Sequence, residues 1–240
     1  MPVMSNDISP HMPTRPSPPE TLQELTTRVS NVAGKTLGQI AHDAHFAIPD
    51  DLRRHKGWVG SLLEHVLGCD AGSQARQDFS ALGVELKTLP LDAQGQPKES
   101  TFVCTVNAAG SASGRWQDSW VRKKLSNVLW LPIEADNQIP LAERFVGMGW
   151  IWRPNAQQEA MLRQDWEELM ELIALGEQNA LTANYGQYLQ IRPKAANSRV
   201  MSKASDSDGE SIRLNPRGFY LRTSFTRQLL EAATILAFEP

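Results

Sequence analysis

Asp78, Glu85 and Lys87 stand in one short string, Asp78-Phe-Ser-Ala-Leu-Gly-Val-Glu85-Leu-Lys87, at a spacing that suits phosphodiester hydrolysis. On a strand, residues two apart share a face, so Glu85 and Lys87 point one way while Val84 and Leu86 point to a core. Two carboxylates offer the hard oxygens that Mg²⁺ takes, and that ion keeps waters in its shell while touching a phosphate. The metal offsets charge developing on the phosphate, and a nearby lysine orients or helps deprotonate the attacking water. The same spacing also arises on a solvated strand with ordinary Glu–Lys alternation. Three neighbours favour the catalytic reading. Glu64 falls on a largely apolar helix face, where an unpaired carboxylate is costly. Gly72 and Gly83 bracket Asp78 with flexible backbone, and Lys123 and Lys124 are candidate contacts for a polyanion.

Other candidates carry less. His42 and His45 could share a helix face, but no third ligand stands nearby, and structural zinc takes four. Cys69 and Cys104 are too few for a disulfide framework and read as small buried apolar residues. The G-x-S-x-G, P-loop and G-x-G-x-x-G patterns are absent, which removes the usual support for triad hydrolases and common nucleotide folds. Asp206, Asp208 and Glu210 lack the spacing of a calcium loop and read as a solvated loop.

The elements that must position these residues follow from periodicity and caps. Residues 1–19 hold six of the fifteen prolines and read as a disordered leader. Helical spacing then runs from Leu22 to Gly34, from Thr36 to about His42, and from Trp58 to Leu67 with Gly68 as its stop. Val84 to Lys87 reads as a strand, Asp92 to Lys98 as a turn, and Thr101 to Val106 as its antiparallel partner. A basic helix is expected from Ser119 to Leu125, a strand from Val128 to Leu131 stopped by Pro132, and another at Trp150 to Trp152. Asn155 is the expected N-cap of the longest helix, ending at Leu175 before Gly176. Strands at Tyr188 to Ile191 and Phe219 to Arg222 flank a polar loop near Ser205 to Glu210, and Ser224 caps a final helix. Short strands mixed with helices give an α/β (α+β) fold with a mixed β-sheet.

The composition, 41% hydrophobic and 21% charged, is that of a chain able to bury a core. There is no apolar run long enough for a membrane span and no secretory signal, which implies a cytoplasmic protein. The formal net charge of −3 argues against a simple basic nucleic-acid coat, but it hides a segregation. Arg192 to Arg227 carries +5 and the remainder of the chain −8. Much of that acid lies between Asn155 and Glu177, so one positive cleft with an acidic back is expected. Phe219 and Tyr220, beside Arg217 and Arg222, suggest a surface that touches nucleic acid.

The strings Lys56-Gly-Trp-Val-Gly, Leu62-Leu-Glu64, Ala71-Gly-Ser, Asp78-Phe, Gly83-Val-Glu85-Leu-Lys87-Thr, Thr101-Phe-Val-Cys, Ile191-Arg-Pro-Lys-Ala-Ala-Asn and Pro216-Arg-Gly-Phe-Tyr closely resemble MutH. That is the family of DNA mismatch repair endonucleases related to GATC-cutting restriction enzymes. The resemblance runs from about Pro18 to the C-terminal helix. It implies a monomeric, restriction-endonuclease-like domain over 20–240 in two lobes, catalytic residues in the N-terminal lobe and DNA-reading residues in the C-terminal one, with DNA in the cleft. It implies Mg²⁺-dependent nicking of the unmethylated strand at hemimethylated GATC, 5′ to the G, after activation by MutL with MutS at a mismatch. By position, Asp78 and Glu85 resemble metal ligands, Lys87 the water-positioning base, Glu64 a supporting acid and Lys124 an additional active-site lysine. Lys56 resembles a phosphate contact. Phe102, Arg192, Pro193, Lys194 and Tyr220 resemble DNA-reading positions, and Arg217 joins them on charge. Two rivals remain: a restriction endonuclease of this fold that cuts both strands, and a non-catalytic DNA-binding adaptor.

Overall fold

The computed structural model describes residues 15–49, 57–72, 76–106, 114–175, 185–194, 202–205, 211–214 and 216–236. Along the chain these form α1 (Leu22–Val32), α2 (Leu37–Asp43), α3 (Trp58–Leu67), β1 (Glu85–Leu91), β2 (Thr101–Thr105), α4 (Trp120–Leu125), β3 (Val128–Glu134), β4 (Trp150–Trp152), α5 (Ala156–Ala174), β5 (Leu189–Pro193), β6 (Ser202–Ser205), β7 (Ser211–Leu214), β8 (Arg217–Leu221) and α6 (Thr223–Leu236). The fold is mixed α/β. None of the described helices is long and apolar enough to cross a membrane.

Local chemistry starts and stops the helices. Thr21 caps α1 by accepting from the Glu24 N–H, while Thr36 and Asn155 form capping boxes with Gln39 and Gln158. Gly68 ends α3 at φ 81°, and a Cβ there would stand 2.8 Å from the Ser17 carbonyl oxygen, so two constraints demand glycine. Of the expected leader, residues 1–14 lie outside the described residues. Arg15 to Pro19 lie against α3, with Pro19 buried and the Arg15 guanidinium donating to the Glu64 carbonyl at 3.1 Å.

Two three-stranded sheets follow, in orders β1-β3-β4 and β2-β8-β5, with β6 and β7 as a separate antiparallel pair. β1 runs parallel to β3 from Glu85↔Val128 to Leu91↔Glu134, and β4 pairs antiparallel on the far side of β3. The expected hairpin between the Val84 and Thr101 strands is therefore wrong. The Asp92 turn forms, with the Gln94 and Gln96 N–H groups on Asp92 Oδ1, but its return arm makes only an isolated bridge, Leu91↔Pro97. β3 is apolar throughout Val128–Ile133 and takes β1 as a buried parallel neighbour, leaving β2 to pair with β8.

Pro132 does not stop β3 either. Its carbonyl accepts from the Gly147 N–H at 2.8 Å, and N and O of one strand residue point the same way. The missing N–H thus faces away from β1 and costs that ladder nothing. At the other end, residues expected as polar loop contribute β6 (Ser202–Ser205), while Asp206, Asp208 and Glu210 lie outside the described residues. Ser224 sits within the first turn of α6, which begins one residue earlier, so it is not the cap.

β3 alternates between two hydrophobic clusters. Leu129, Leu131 and Ile133 pack with α1, α2 and α3, whereas Val128 and Trp130 pack with α5, β5 and β8. Glu85, Lys87 and Leu89 share one face of β1, and Leu86 lies on the other, toward the α1–α3 cluster.

Candidate active site and nucleic-acid groove

The loop before β1 is built to hold Asp78. Asp70 accepts from the Ser80 N–H at 2.8 Å and from the Ser80 hydroxyl, while its own N–H donates to the Asp78 carbonyl at 2.9 Å. Arg76 donates to the Asp70 carbonyl at 2.6 Å. Phe79 and Val84 exchange backbone hydrogen bonds of 2.9 and 3.3 Å, closing a tight turn that Gly83 completes at φ 61°. The turn aims Asp78 back at the start of β1, where Oδ2 accepts the Leu86 N–H at 2.8 Å.

Glu85 is 2% exposed, so a carboxylate expected on an open strand face is instead buried. Each oxygen has its own ammonium partner: Lys87 Nζ at 2.7 Å from Oε1, and Lys124 Nζ at 2.7 Å from Oε2. Lys124 also donates to the Arg76 carbonyl at 2.9 Å. The lysine expected to face a polyanion therefore turns inward, and only Lys123 is exposed. Burial pushes the Glu85 carboxyl above its ordinary value; Lys87 opposes that shift, Asp78 adds to it and Lys124 opposes it. Burial also raises Glu64, helped by the charges of Asp78 and Glu85 and opposed by Arg15 and Lys87. Glu64, Asp78 and Glu85 thus load one region with negative charge, against which the two lysines act.

The cluster opens on a groove of about 350 Å³ whose lining includes Gly60, Glu64, Lys87, Thr88, Phe102 and Tyr220. Its far wall is the β2-β8-β5 sheet. Phe102 faces Tyr220 across the strands, the rings meeting edge to face at 5.3 Å, and Lys194 Nζ lies 5.0 Å above the Phe102 ring. Gly218 makes room for this, since a Cβ there would sit 2.7 Å from Phe102 Cε2. Arg192 is held at 2.7 Å on the Ser100 hydroxyl, and Lys194 at 3.1 Å on that of Thr105. Burial raises the Tyr220 phenol, Arg192 opposing and Glu99 reinforcing.

Strand alternation separates the remaining candidates. Arg192, Lys194 and Tyr220 share the groove face, whereas Arg217, paired with Pro193, shares the parity of the buried Phe219 and Leu221. Arg217 is half-buried, and loss of solvent lowers its pKa. Phe219 is a core residue, so the expected aromatic surface reduces to Tyr220 and Phe102. Lys56 lies outside the described residues. The expected acidic back also changes. Asp165, on α5, is 2% exposed and accepts the N–H groups of Gln187, Tyr188 and Leu189 at 2.8, 2.6 and 2.8 Å, anchoring the start of β5. Glu159 takes Arg122 at 2.7 Å and the Trp116 indole at 2.9 Å.

Several supporting residues gave no signal in the sequence. Asp70, Ser80 and Arg76 form the brace just described, and the Gln77 amide bridges this loop to α4. A polar residue beside a motif is too common a pattern to single these out. His42 and His45 are exposed, and His42 lies 3.7 Å from the Asp43 carboxylate. Cys69 and Cys104 are buried free thiols. Burial pushes Cys104 up to about 12 and Cys69 higher, with Asp78 and Glu64 adding to the latter. Neither thiol should react with iodoacetamide in the native protein at neutral pH, and both should label on unfolding; mass spectrometry after a timed exposure checks this, and rapid native labelling of either would contradict the packing.

A mixed sheet whose edge strand buries Glu85 between Lys87 and Lys124, beside a groove lined by Glu64, Lys87, Phe102 and Tyr220, fits an α/β nuclease. A family profile described as DNA mismatch repair enzyme MutH matches residues 67–165. The protein called DNA mismatch repair protein MutH in Serratia proteamaculans (strain 568) is 53% identical over 215 residues, covering 90% of this chain and 94% of that protein. Its namesake in Haemophilus influenzae (strain PittGG) is 51% identical over 214 residues, covering 89% and 96%. In Escherichia coli O6:K15:H31 (strain 536 / UPEC) the figures are 50% over 214 residues, 89% and 93%. The chain belongs to the MutH family of DNA mismatch repair enzymes.

Proposed function

We propose that this endonuclease nicks the unmethylated strand of hemimethylated GATC sites in duplex DNA, 5′ to the G, using Mg²⁺. In this proposal it acts in the cytoplasm as a monomer of two lobes and is activated by a MutL partner that reports mismatch binding by MutS. The observation that supports the reading is the cluster in which Lys87 and Lys124 pair with buried Glu85 and the charges of Asp78 and Glu85 act on Glu64, with Glu64 and Lys87 lining a groove that Phe102 and Tyr220 also line. Binding alone does not call for buried acids, because carboxylates repel phosphate.

Among the described residues no group of three or more His, Cys, Asp or Glu side chains could hold a metal. A Mg²⁺ site in a phosphoryl-transfer enzyme needs fewer, one or two carboxylates completed by waters and substrate phosphate, and Asp78 with Glu85 matches that donor set. When bound there, Mg²⁺ supplies a Lewis acid for the phosphoryl oxygen and lowers the pKa of a bound water. Lys87 orients the attacking water, and as the free amine, its own proton passed to solvent, it would take the water's proton. Glu64 supports from α3, and Lys124 offsets charge on Glu85. Arg192, as a guanidinium, can bind a guanine edge bidentately once released from Ser100, while Phe102 and Tyr220 sense groove shape. Lys56 contacts phosphate, Pro193 and Lys194 belong with the DNA-reading positions, and Arg217 adds a DNA contact.

One catalytic cluster makes one strand cut per chain, which favours nicking over double-strand cutting. Supercoiled plasmids carrying unmethylated, hemimethylated or fully methylated GATC test the proposal, with Mg²⁺ and the MutL partner present. Nicked circles are expected from the hemimethylated plasmid, cut in the unmethylated strand, and none from the fully methylated one. Linear product without a nicked intermediate would point to the restriction enzyme, and no cutting to the adaptor.

A further inference from the structure

The Gln77 side chain ties together three pieces of the active site. Its amide nitrogen donates to the Gly83 carbonyl at 2.8 Å and to the Lys123 carbonyl at 2.9 Å, and it reaches the Ser126 hydroxyl at 3.4 Å. An amide NH₂ has two hydrogens, and the two carbonyls take them. Gly83 closes the turn between Asp78 and Glu85, while Lys123 and Ser126 flank Lys124. One residue before Gln77, the Arg76 carbonyl accepts Lys124 Nζ at 2.9 Å, and the Arg76 guanidinium is fixed on Asp70. One residue after it stands Asp78. α4 has six residues: Ser119 caps its start, Val121 and Leu125 are buried, Arg122 pairs with Glu159 at 2.7 Å, and at its last turn the Lys123 carbonyl accepts from both the Gln77 amide and the Ser126 hydroxyl, each at 2.9 Å.

We propose that Gln77 is a positioning residue that sets Lys124 on Glu85, so that the Glu85 oxygens stay covered by ammonium groups until substrate phosphate draws the lysines away. This rests on the reading of Asp78 and Glu85 as metal ligands. Without the clamp, α4 shifts from the Asp78 loop, Lys124 leaves Glu85 Oε2, and a divalent cation meets less competition there. Lys124 is then also misplaced for chemistry, so cation affinity and turnover move in opposite directions. A residue serving only the fold would move both downward together.

The test uses the full chain and Mn²⁺ as the probe, with bound ion measured by electron paramagnetic resonance in the absence of DNA. Wild type, Gln77→Met, Lys124→Met and the double variant are compared, alongside nicking kcat and Tm. Gln77→Met should bind Mn²⁺ about 3- to 10-fold more tightly than wild type, with kcat lowered about 10- to 100-fold and DNA affinity unchanged. The double variant should match Lys124→Met in Mn²⁺ affinity, since both changes act through one lysine. Unchanged affinity and kcat in Gln77→Met would overturn the proposal. So would a joint fall of affinity, kcat and Tm. Asp78→Ala and Glu85→Ala separate the two levels: if they bind Mn²⁺ as wild type does, the metal-ligand reading itself fails, and if they lose it, the Gln77 result judges the clamp alone.

Discussion

Lys87→Ala cuts DNA about 10²- to 10⁴-fold more slowly than the wild type at saturating Mg²⁺ and substrate, the range expected for loss of a positioned acid–base group. Lys87 Nζ sits 2.7 Å from Glu85 Oε1 at the edge of the groove, and its side chain is 13% exposed, so it meets both the ligand carboxylate and incoming substrate. Truncation does not strand a buried charge, because Lys124 still holds the other Glu85 oxygen. The variant therefore folds. It also keeps DNA affinity close to wild type, since Phe102, Arg192, Lys194 and Tyr220 belong to a different sheet. Lys87→Arg should be nearly as slow, because a guanidinium keeps its charge but gives up no proton. Single-turnover nicking and a separate binding titration measure the two effects. Activity within about threefold of wild type would remove Lys87 from the mechanism.

Asp165→Ala lowers unfolding free energy by about 3–5 kcal/mol, because three backbone N–H groups lose a charged acceptor inside the protein. For a chain of this size that corresponds to a Tm fall of roughly 10 °C. Gly186, just before these donors, has φ 75° and would place a Cβ 3.3 Å from the Asp165 carboxyl carbon, so the loop wraps the carboxylate closely. Asp165→Asn keeps one acceptor oxygen and falls between. The damage should spread to DNA binding, since Leu189 begins the strand that carries Arg192 and leads into Lys194. Urea unfolding monitored by tryptophan fluorescence gives the number; a loss under about 1 kcal/mol would show that water replaces the carboxylate.

What the sequence made legible was local. Gly68 marked the end of α3, Asn155 marked the start of α5, and the short span from Asp78 to Lys87 placed its acids and lysine. The pairing of β1 was not legible: alternation reports which face a residue takes and says nothing of which strand lies beside it. The turn at Asp92 suggested a hairpin, while the decisive preference lay some forty residues away, in the unbroken apolar run of β3. Asp165 was hidden for a similar reason. On a helix rich in acids it looks solvated, and only the folded chain brings a loop of N–H groups to it. Lys124 was found through family resemblance, and its partner Glu85 lies 39 positions away. Phe219 was misjudged because adjacent strand residues look alike in sequence yet serve opposite faces, Phe219 the core and Tyr220 the groove.

The order β2-β8-β5 bears on how the chain is made. β8 is the middle strand of its sheet and the last of the three to be synthesised, more than a hundred residues after β2. At about 5–20 residues per second, translation leaves β2 waiting for several seconds without its neighbour. The wall that carries Phe102 and Tyr220 exists only once β8 has emerged, whereas the catalytic loop and β1 can meet β3 well before. A ribosome-bound fragment can thus bring together the groups proposed to cut before the sheet proposed to read DNA has gained its middle strand.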